Sequence, residues 1–291
     1  MYKSLIAAAL LFSTGVSAKP SPVIPPIEES ARQHFTLSQH DMTSARGYEY
    51  RIYVALPKAP ALASGYPVLY MLDGNGQFPV AVNGYRSENG PAPLIIAIGY
   101  PTGVSYNTEL RTRDYTPPAE GEAFAKGGQS EAFYQFIEQE LKPSITAKYA
   151  VDASRQTLAG HSFGGLFTLY VLFNHPQSFQ RYVAASPSLW WGKGVVIPKR
   201  SPLLTANPKS ITMTVGEYEE KPDPAKVNQP VDPERAKRQA ERQQVTKARD
   251  LAATLAQQGA SVSFILFPGK NHGSVIPDAV NTAVAVAAQD K

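Results

Sequence analysis

Cysteine is absent from the 291 residues, which removes disulfide frameworks, thiol nucleophiles and thiolate metal sites together. It also removes the residue on which a bacterial lipid anchor would be built. Charge is scarce: 18% of residues are Asp, Glu, Lys or Arg, and the net charge of +4 comes from basic residues scattered along the chain. No Lys/Arg block with interleaved aromatics occurs, so a nucleic-acid groove is not expected. GxGxxG and P-loop patterns are missing, and no His/carboxylate cluster has ligand spacing, so neither cofactor nor metal is expected. Long hydrophobic runs are lacking too. The N-terminal one, residues 5–12, falls short of the roughly 20 residues that a helix needs to cross a bilayer.

What that short run does have is context. It follows Lys3 and precedes Val16-Ser17-Ala18, a small-residue site ahead of Lys19, which is the layout of an export signal cleaved after Ala18. A periplasmic or secreted protein with no membrane insertion after cleavage is therefore expected, with residues 1–18 as signal peptide and 19–30 as a Pro-rich segment. At 43% hydrophobic residues, the remainder is able to bury a substantial core.

Residues 35–56 alternate, most clearly in Tyr48-Glu49-Tyr50-Arg51-Ile52-Tyr53-Val54, as half-buried antiparallel strands do. Residues 67–74 (PVLYMLDG) and 93–100 (PLIIAIGY) are continuous apolar runs, the mark of strands covered on both faces. A helical period over 131–149, with Ser130 as N-cap, leads to a strand ending near residue 160. Residues 181–186, 211–216 and 262–267 repeat the apolar strand pattern; a charged helix over 233–258 separates the last two, and a final helix follows Pro277. Such alternation predicts a three-layer α/β sandwich with a mostly parallel central sheet. Sites in such sheets form at the C-terminal strand ends. Residues 217–234 read as a lid-like surface excursion.

At one predicted strand end stands Gly160-His161-Ser162-Phe163-Gly164. G-x-S-x-G by itself is cheap, arising by chance in about one chain in ten of this length. Here it lies between a strand and an amphipathic helix carrying Leu166, Leu169, Val171 and Phe173, the setting of a strained turn that exposes a nucleophilic serine. Ser162 then needs a base within hydrogen-bond reach. Of five histidines, His34 and His40 belong with the early strands and His161 adjoins the serine. His175 sits at the far end of the following helix, about 15 Å away. His272, in FPGKNHGS just beyond the last apolar strand, falls where the base of this architecture stands. An acid is expected after residues 211–216, where Glu217, Glu219 and Glu220 follow; spacing does not choose among them. Donors for a developing oxyanion are the N–H of Phe163 and one from the loop at 72–76, which holds Gly74 and Asn75.

YPVLYMLDGNG, RTRDYTPP, AGHSFGG, SPSLWW, VGEYEE and PGKNHGS, in this order across nearly the whole mature chain, resemble the esterase family of α/β hydrolases. Within it, the likeness is greatest to the periplasmic trilactone siderophore esterases, which hydrolyse enterobactin and salmochelin. The resemblance implies a single α/β-hydrolase domain over 31–291, with Ser162 as nucleophile and His272 as base. Many α/β hydrolases place the acid three residues after a strand-end glycine, which from Gly216 points to Glu219. Some siderophore esterases work with a Ser-His dyad, in which case Glu219 only supports His272. Gly74 and Asn75 map onto the oxyanion position, and Arg111 or Arg113 onto a basic residue near the substrate. Either arginine, with a ring face from Trp190 or Trp191, suits an anionic catecholate or its iron complex. Equally, Arg113 can pair with Asp114 and the tryptophans can pack in the core.

Cytosolic relatives such as S-formylglutathione hydrolase are disfavoured by the export signal and the lack of cysteine. The expected protein is a secreted, cofactor-free serine esterase acting on a small-molecule ester, a trilactone catecholate siderophore in free or ferric form. Alternatives are a carboxylesterase for feruloyl, acetyl-sugar or other acyl esters, and a non-catalytic siderophore-binding protein on a hydrolase scaffold.

Overall fold

The computed structural model describes residues 22–224 and 232–289, so the export signal expected at 1–18 lies outside the described residues. Its strands are β1 (Phe35–Thr43), β2 (Glu49–Pro57), β3 (Tyr66–Met71), β4 (Leu94–Gly99), β5 (Val151–His161), β6 (Arg181–Ala185), β7 (Ser210–Gly216) and β8 (Val262–Phe267). They form one sheet in the order β1-β2-β4-β3-β5-β6-β7-β8. β2 runs antiparallel to both β1 and β4, and from β4 to β8 every neighbouring pair is parallel.

The helices are α1 (Glu29–His34), α2 (Gly74–Gly84), α3 (Thr108–Tyr115), α4 (Ser130–Phe136), α5 (Lys142–Lys148), α6 (Phe163–Asn174), α7 (Pro233–Arg242), α8 (Gln244–Gln257) and α9 (Ile276–Ala288). The period-2 alternation of the central strands divides the core in two. Leu69, Met71, Ile95 and Ala97 meet α1, α2 and α9 on one face. Val68, Tyr70, Leu94 and Ile96 meet α4, α5, α6 and α8 on the other. Each such Leu, Ile or Val buried to completion contributes about 1.5–3 kcal/mol. The result is an α/β-hydrolase-like sheet with a helical layer on each side. No helix among the described residues is long and apolar enough to cross a membrane.

Four details differ from the sequence expectation. β8 is apolar but lies at the sheet edge, where its residues are only partly covered and Leu266 is exposed. The 131–149 helix is interrupted by a π turn at Ile137–Leu141, just before Pro143. Proline has no N–H for the carbonyl four residues back and its ring crowds that carbonyl, which a wider turn relieves. Ser130 is the first residue inside α4, and its N-cap is Gln129. The 233–258 helix breaks at Gln243, which takes φ 47° between α7 and α8. The break is held from outside, because Glu220 accepts bonds from Thr246 N and Oγ1, and Gln244 donates to Pro187 O.

Because the strands from β3 to β8 point the same way, their C-terminal ends share one edge. Asp73, Ser162, Ser186, Glu219 and His272 all follow strand ends there.

Candidate active site

β5 ends at His161 and α6 begins at Phe163, leaving Ser162 alone to turn the chain. It does so at φ 62°, ψ −116°, a conformation costly for any residue with a Cβ. Two glycines allow the turn to close. A Cβ on Gly160 would stand 2.4 Å from the Gly164 carbonyl carbon, and one on Gly165 would stand 2.6 Å from Ala185 O. Gly164, the second glycine of the motif, would meet only ordinary contacts from 3.4 Å outward. The glycine required after the serine is therefore Gly165. Ser162 N donates to Ala185 O at 2.9 Å, and Ser162 O accepts from Leu166 N and Ser188 N, so the strained residue is fixed by its neighbours on both sides.

His272 Nε2 lies 2.9 Å from Ser162 Oγ, and His272 Nδ1 lies 2.6 Å from Glu219 Oε2. The Glu219 side chain is 1% exposed against 38% for His272. A buried carboxylate must have its lone pairs occupied: Glu219 Oε1 accepts from Gly216 N at 2.7 Å and from Ser186 Oγ at 2.5 Å. The three glutamates that spacing left together have separate partners. Glu217 pairs with Lys221 and accepts from Gly269 N, on the loop that carries His272. Glu220 caps the first turn of α8 through Thr246. Only Glu219 faces the imidazole. Gly216 permits this, since a Cβ there would lie 2.6 Å from Lys270 O.

The segment expected as a loop at 72–76 is instead the start of α2. Asp73 is its N-cap, in the left-handed region at φ 53°, and its N–H donates to Tyr115 Oη. Gly74 and Asn75 occupy the first turn of α2, as Phe163 does that of α6. First-turn N–H groups have no intrahelical acceptor and carry the positive end of the helix dipole. A Cβ on Gly164 would contact Leu72 and Asp73, so the two helix N-termini adjoin at the serine. The Asn75 side chain is committed elsewhere, bonded to Tyr100 N, Tyr100 O and Thr102 O. Only its backbone is available toward the serine.

The two arginines expected to await a substrate anion are already paired. Arg111 makes a bidentate contact with Asp73, both bonds at 2.9 Å, and is enclosed by the rings of Tyr106, Tyr115 and Phe163. Arg113 grips Asp114 in the same two-pronged way and lies 3.9 Å over the Tyr48 ring. In both cases a buried carboxylate must be neutralised, and the adjacent guanidinium is what neutralises it. The tryptophans divide. Trp191 is core, with Nε1 donating to Pro117 O at 2.9 Å. Trp190 is half-buried, 5.8 Å from the Phe163 ring, and carries the guanidinium of Arg242 at 4.0 Å.

His161 enters the site beyond its place next to the serine, and Asp73, Ser186 and Ser188 join it without a motif that marks them in the sequence. His161 is buried beneath the turn with its ring 4.6 Å from that of His272. Burial, then the charges of His272 and Arg111, hold its pKa well below the ordinary histidine value. It is therefore a neutral packing partner for the His272 ring. Ser188 Oγ approaches Ser162 Oγ to 3.4 Å. The one signal available for Asp73 was an acid directly ahead of glycine in DGNG.

Chemically, the arrangement offers a hydroxyl with a base in reach, a buried carboxylate bonded to that base, and two helix N-termini that adjoin beside the serine. That set suits acyl transfer.

Comparison with known proteins gives the family. The family described as "Putative esterase" matches residues 43–264. The ferri-bacillibactin esterase BesA of Bacillus subtilis is 34% identical over 261 residues, spanning 82% of this chain and 84% of that protein. The siderophore triacetylfusarinine C esterase of Aspergillus fumigatus is 30% identical over 295 aligned residues, 94% of this chain and 97% of its own. The crystal structure of the BES protein from Bacillus cereus superimposes with a TM-score of 0.74 at 30% identity, covering 87% of this chain and 96% of that one.

Proposed function

This chain belongs to the esterase family and is a hydrolase of ester bonds, and from that premise we propose that it opens a siderophore, a trilactone of the enterobactin type, through an acyl-enzyme on Ser162. The observation that carries the mechanism is the unbroken line from Ser162 Oγ through both ring nitrogens of His272 to Glu219, at 2.9 and 2.6 Å. The names of BesA and of the triacetylfusarinine C esterase, both esterases of siderophores, support the substrate class.

Ser162 Oγ attacks the ester carbonyl carbon as its proton passes to His272 Nε2. Glu219 accepts the Nδ1 N–H, which fixes the tautomer and stabilises the imidazolium that forms. Charge developing on the carbonyl oxygen is met by the N–H of Phe163 and those of Gly74 and Asn75. Such donors are worth about 2.7–4 kcal/mol each when aimed at the oxyanion. Collapse of the tetrahedral intermediate expels the alcohol of the next ester unit, which takes the proton back from Nε2. Water, deprotonated by the same nitrogen, then cleaves the acyl-enzyme.

Mass spectrometry of enterobactin incubated with purified enzyme is expected to show the ring-opened trimer and its shorter fragments. Ser162→Ala is expected to lower kcat on the order of 10⁶-fold; undiminished turnover in that variant sinks the mechanism. We also infer export, with removal of residues 1–18, from Lys3, the apolar run and Ala18. N-terminal sequencing of protein from a periplasmic or culture fraction is expected to begin at Lys19. A chain that still begins at Met1 overturns it.

A further inference from the structure

The pairing of Arg111 and Arg113 with buried carboxylates leaves open which cation meets an anionic substrate, and the geometry points to Arg242. We propose that Arg242, laid on the Trp190 ring, is the contact for an anionic, oxygen-bearing acyl group of the substrate. This assignment rests on the esterase reading above.

Three observations carry it. First, the Arg242 guanidinium lies 4.0 Å over the Trp190 ring centroid, and no Asp or Glu among the described residues forms an ion pair with it. Desolvation, and then the like charge of Arg238, disfavour the cation. A guanidinium stays protonated even so, and because Arg242 is exposed an arriving anion can reach it without displacing a carboxylate.

Second, the place is right. Ser188 Oγ is 3.4 Å from Ser162 Oγ, Trp190 follows two residues later, and the Trp190 ring stands 5.8 Å from Phe163, the residue after the serine. The indole and its arginine therefore border the acyl position. A guanidinium resting by its face on an aromatic ring keeps N–H donors around its edge, in the planar fork that suits carboxylate, phenolate or catecholate oxygens.

Third, the arginine is anchored. Gln239, one turn earlier on α7, donates to Tyr218 O in the Glu219 loop. Gln244, two residues later, is buried and donates to Pro187 O beyond β6. The left-handed Gln243 between them sets the exit of the helix. The backbone around Arg242 is thus tied to the two loops that flank Ser162, rather than drifting on the surface.

The test uses a matched pair of p-nitrophenyl esters, one with a neutral butyryl group and one with an anionic succinyl group, at low and high salt. The quantity read is the ratio of kcat/KM for the anionic ester to that for the neutral one. Arg242→Met is expected to lower this ratio by about 10- to 100-fold, through KM, as loss of a charge-assisted contact does. The wild-type ratio is expected to fall with salt and the variant's to stay flat. Arg242→Lys, which keeps the charge and loses the fork, is expected to give an intermediate ratio. An unchanged ratio in Arg242→Met, or the same loss in Arg242→Lys, overturns the assignment. Enterobactin is run beside the esters: if wild-type enzyme leaves it intact, the siderophore reading falls, and the ester ratio still decides for or against Arg242.

Discussion

Asp73, Glu219 and Gln239 all bring side chains to the same edge of the sheet, but they are held there differently. Asp73 and Glu219 sit at strand ends, nearly inaccessible, with each carboxylate oxygen bonded. Gln239 arrives on α7, a helix with no buried residue among those described, and is held by bonds from one amide to Tyr218 O and Lys221 O. The floor is over-determined, and for that reason it tolerates left-handed or strained backbone at Asp73, Ser162 and Ser186. The wall is sparsely tied and polar. The proposed bond-making groups stand on the first, and the proposed substrate contact stands on the second. Selectivity in this scaffold can then change without disturbing the reacting atoms.

Breaking the floor at the acid has the largest expected effect. Glu219→Gln keeps the shape and loses the charge, and kcat is expected to fall about 10⁴-fold, as when the acid of a serine triad is made an amide. A drop of less than tenfold in steady-state kinetics means that Ser162 and His272 suffice alone, and that the buried carboxylate is structural. Asp73→Ala comes next: it leaves the Arg111 guanidinium buried without its carboxylate, with His161 O at 3.4 Å as its remaining acceptor, at an expected cost of about 3–5 kcal/mol in urea unfolding. An unaltered midpoint would show that the floor is less constrained than its contacts imply. The wall should respond least. Gln239→Ala is expected to cost about 1 kcal/mol or less in the same assay, and a loss equal to that of Asp73→Ala would erase the contrast.

Strands buried on both faces, such as β3 and β4, were legible because burial forces a continuous apolar run. β8 carried the same kind of run and lies at the edge, since composition does not record which neighbour is missing. The helical period over 131–149 continued through the π turn, and Pro143 was the only local mark of it. Nothing in the residues around Gln243 advertised the break there, because its cause is Glu220 and Pro187 rather than glycine or proline in the helix. At the site, the meeting of Ser162 with His272 followed from strand order. The separation of Glu219 from Glu217 and Glu220 did not, because it depends on Gly216 approaching Lys270 and on Ser186 reaching across from β6. The same holds for Arg111, whose partner Asp73 is 38 residues away in sequence. Nothing in the sequence separates Arg242 from any surface arginine, because the Trp190 ring beneath it is 52 residues away in the chain.

The loops bearing Glu219 and His272 are sewn to each other. Tyr218 N donates to Lys270 O and Gly269 N to Glu217 Oε2, both at 2.8 Å, while the serine turn hangs from β6 through Ala185 O. Ser186, from the same end of β6, reaches Glu219 Oε1, so the proposed acid and base are fastened to the serine turn as well as to each other. The spacing between Oγ and Nε2 is therefore a property of the whole strand edge, and a disturbance in any one of the three loops is shared by the other two.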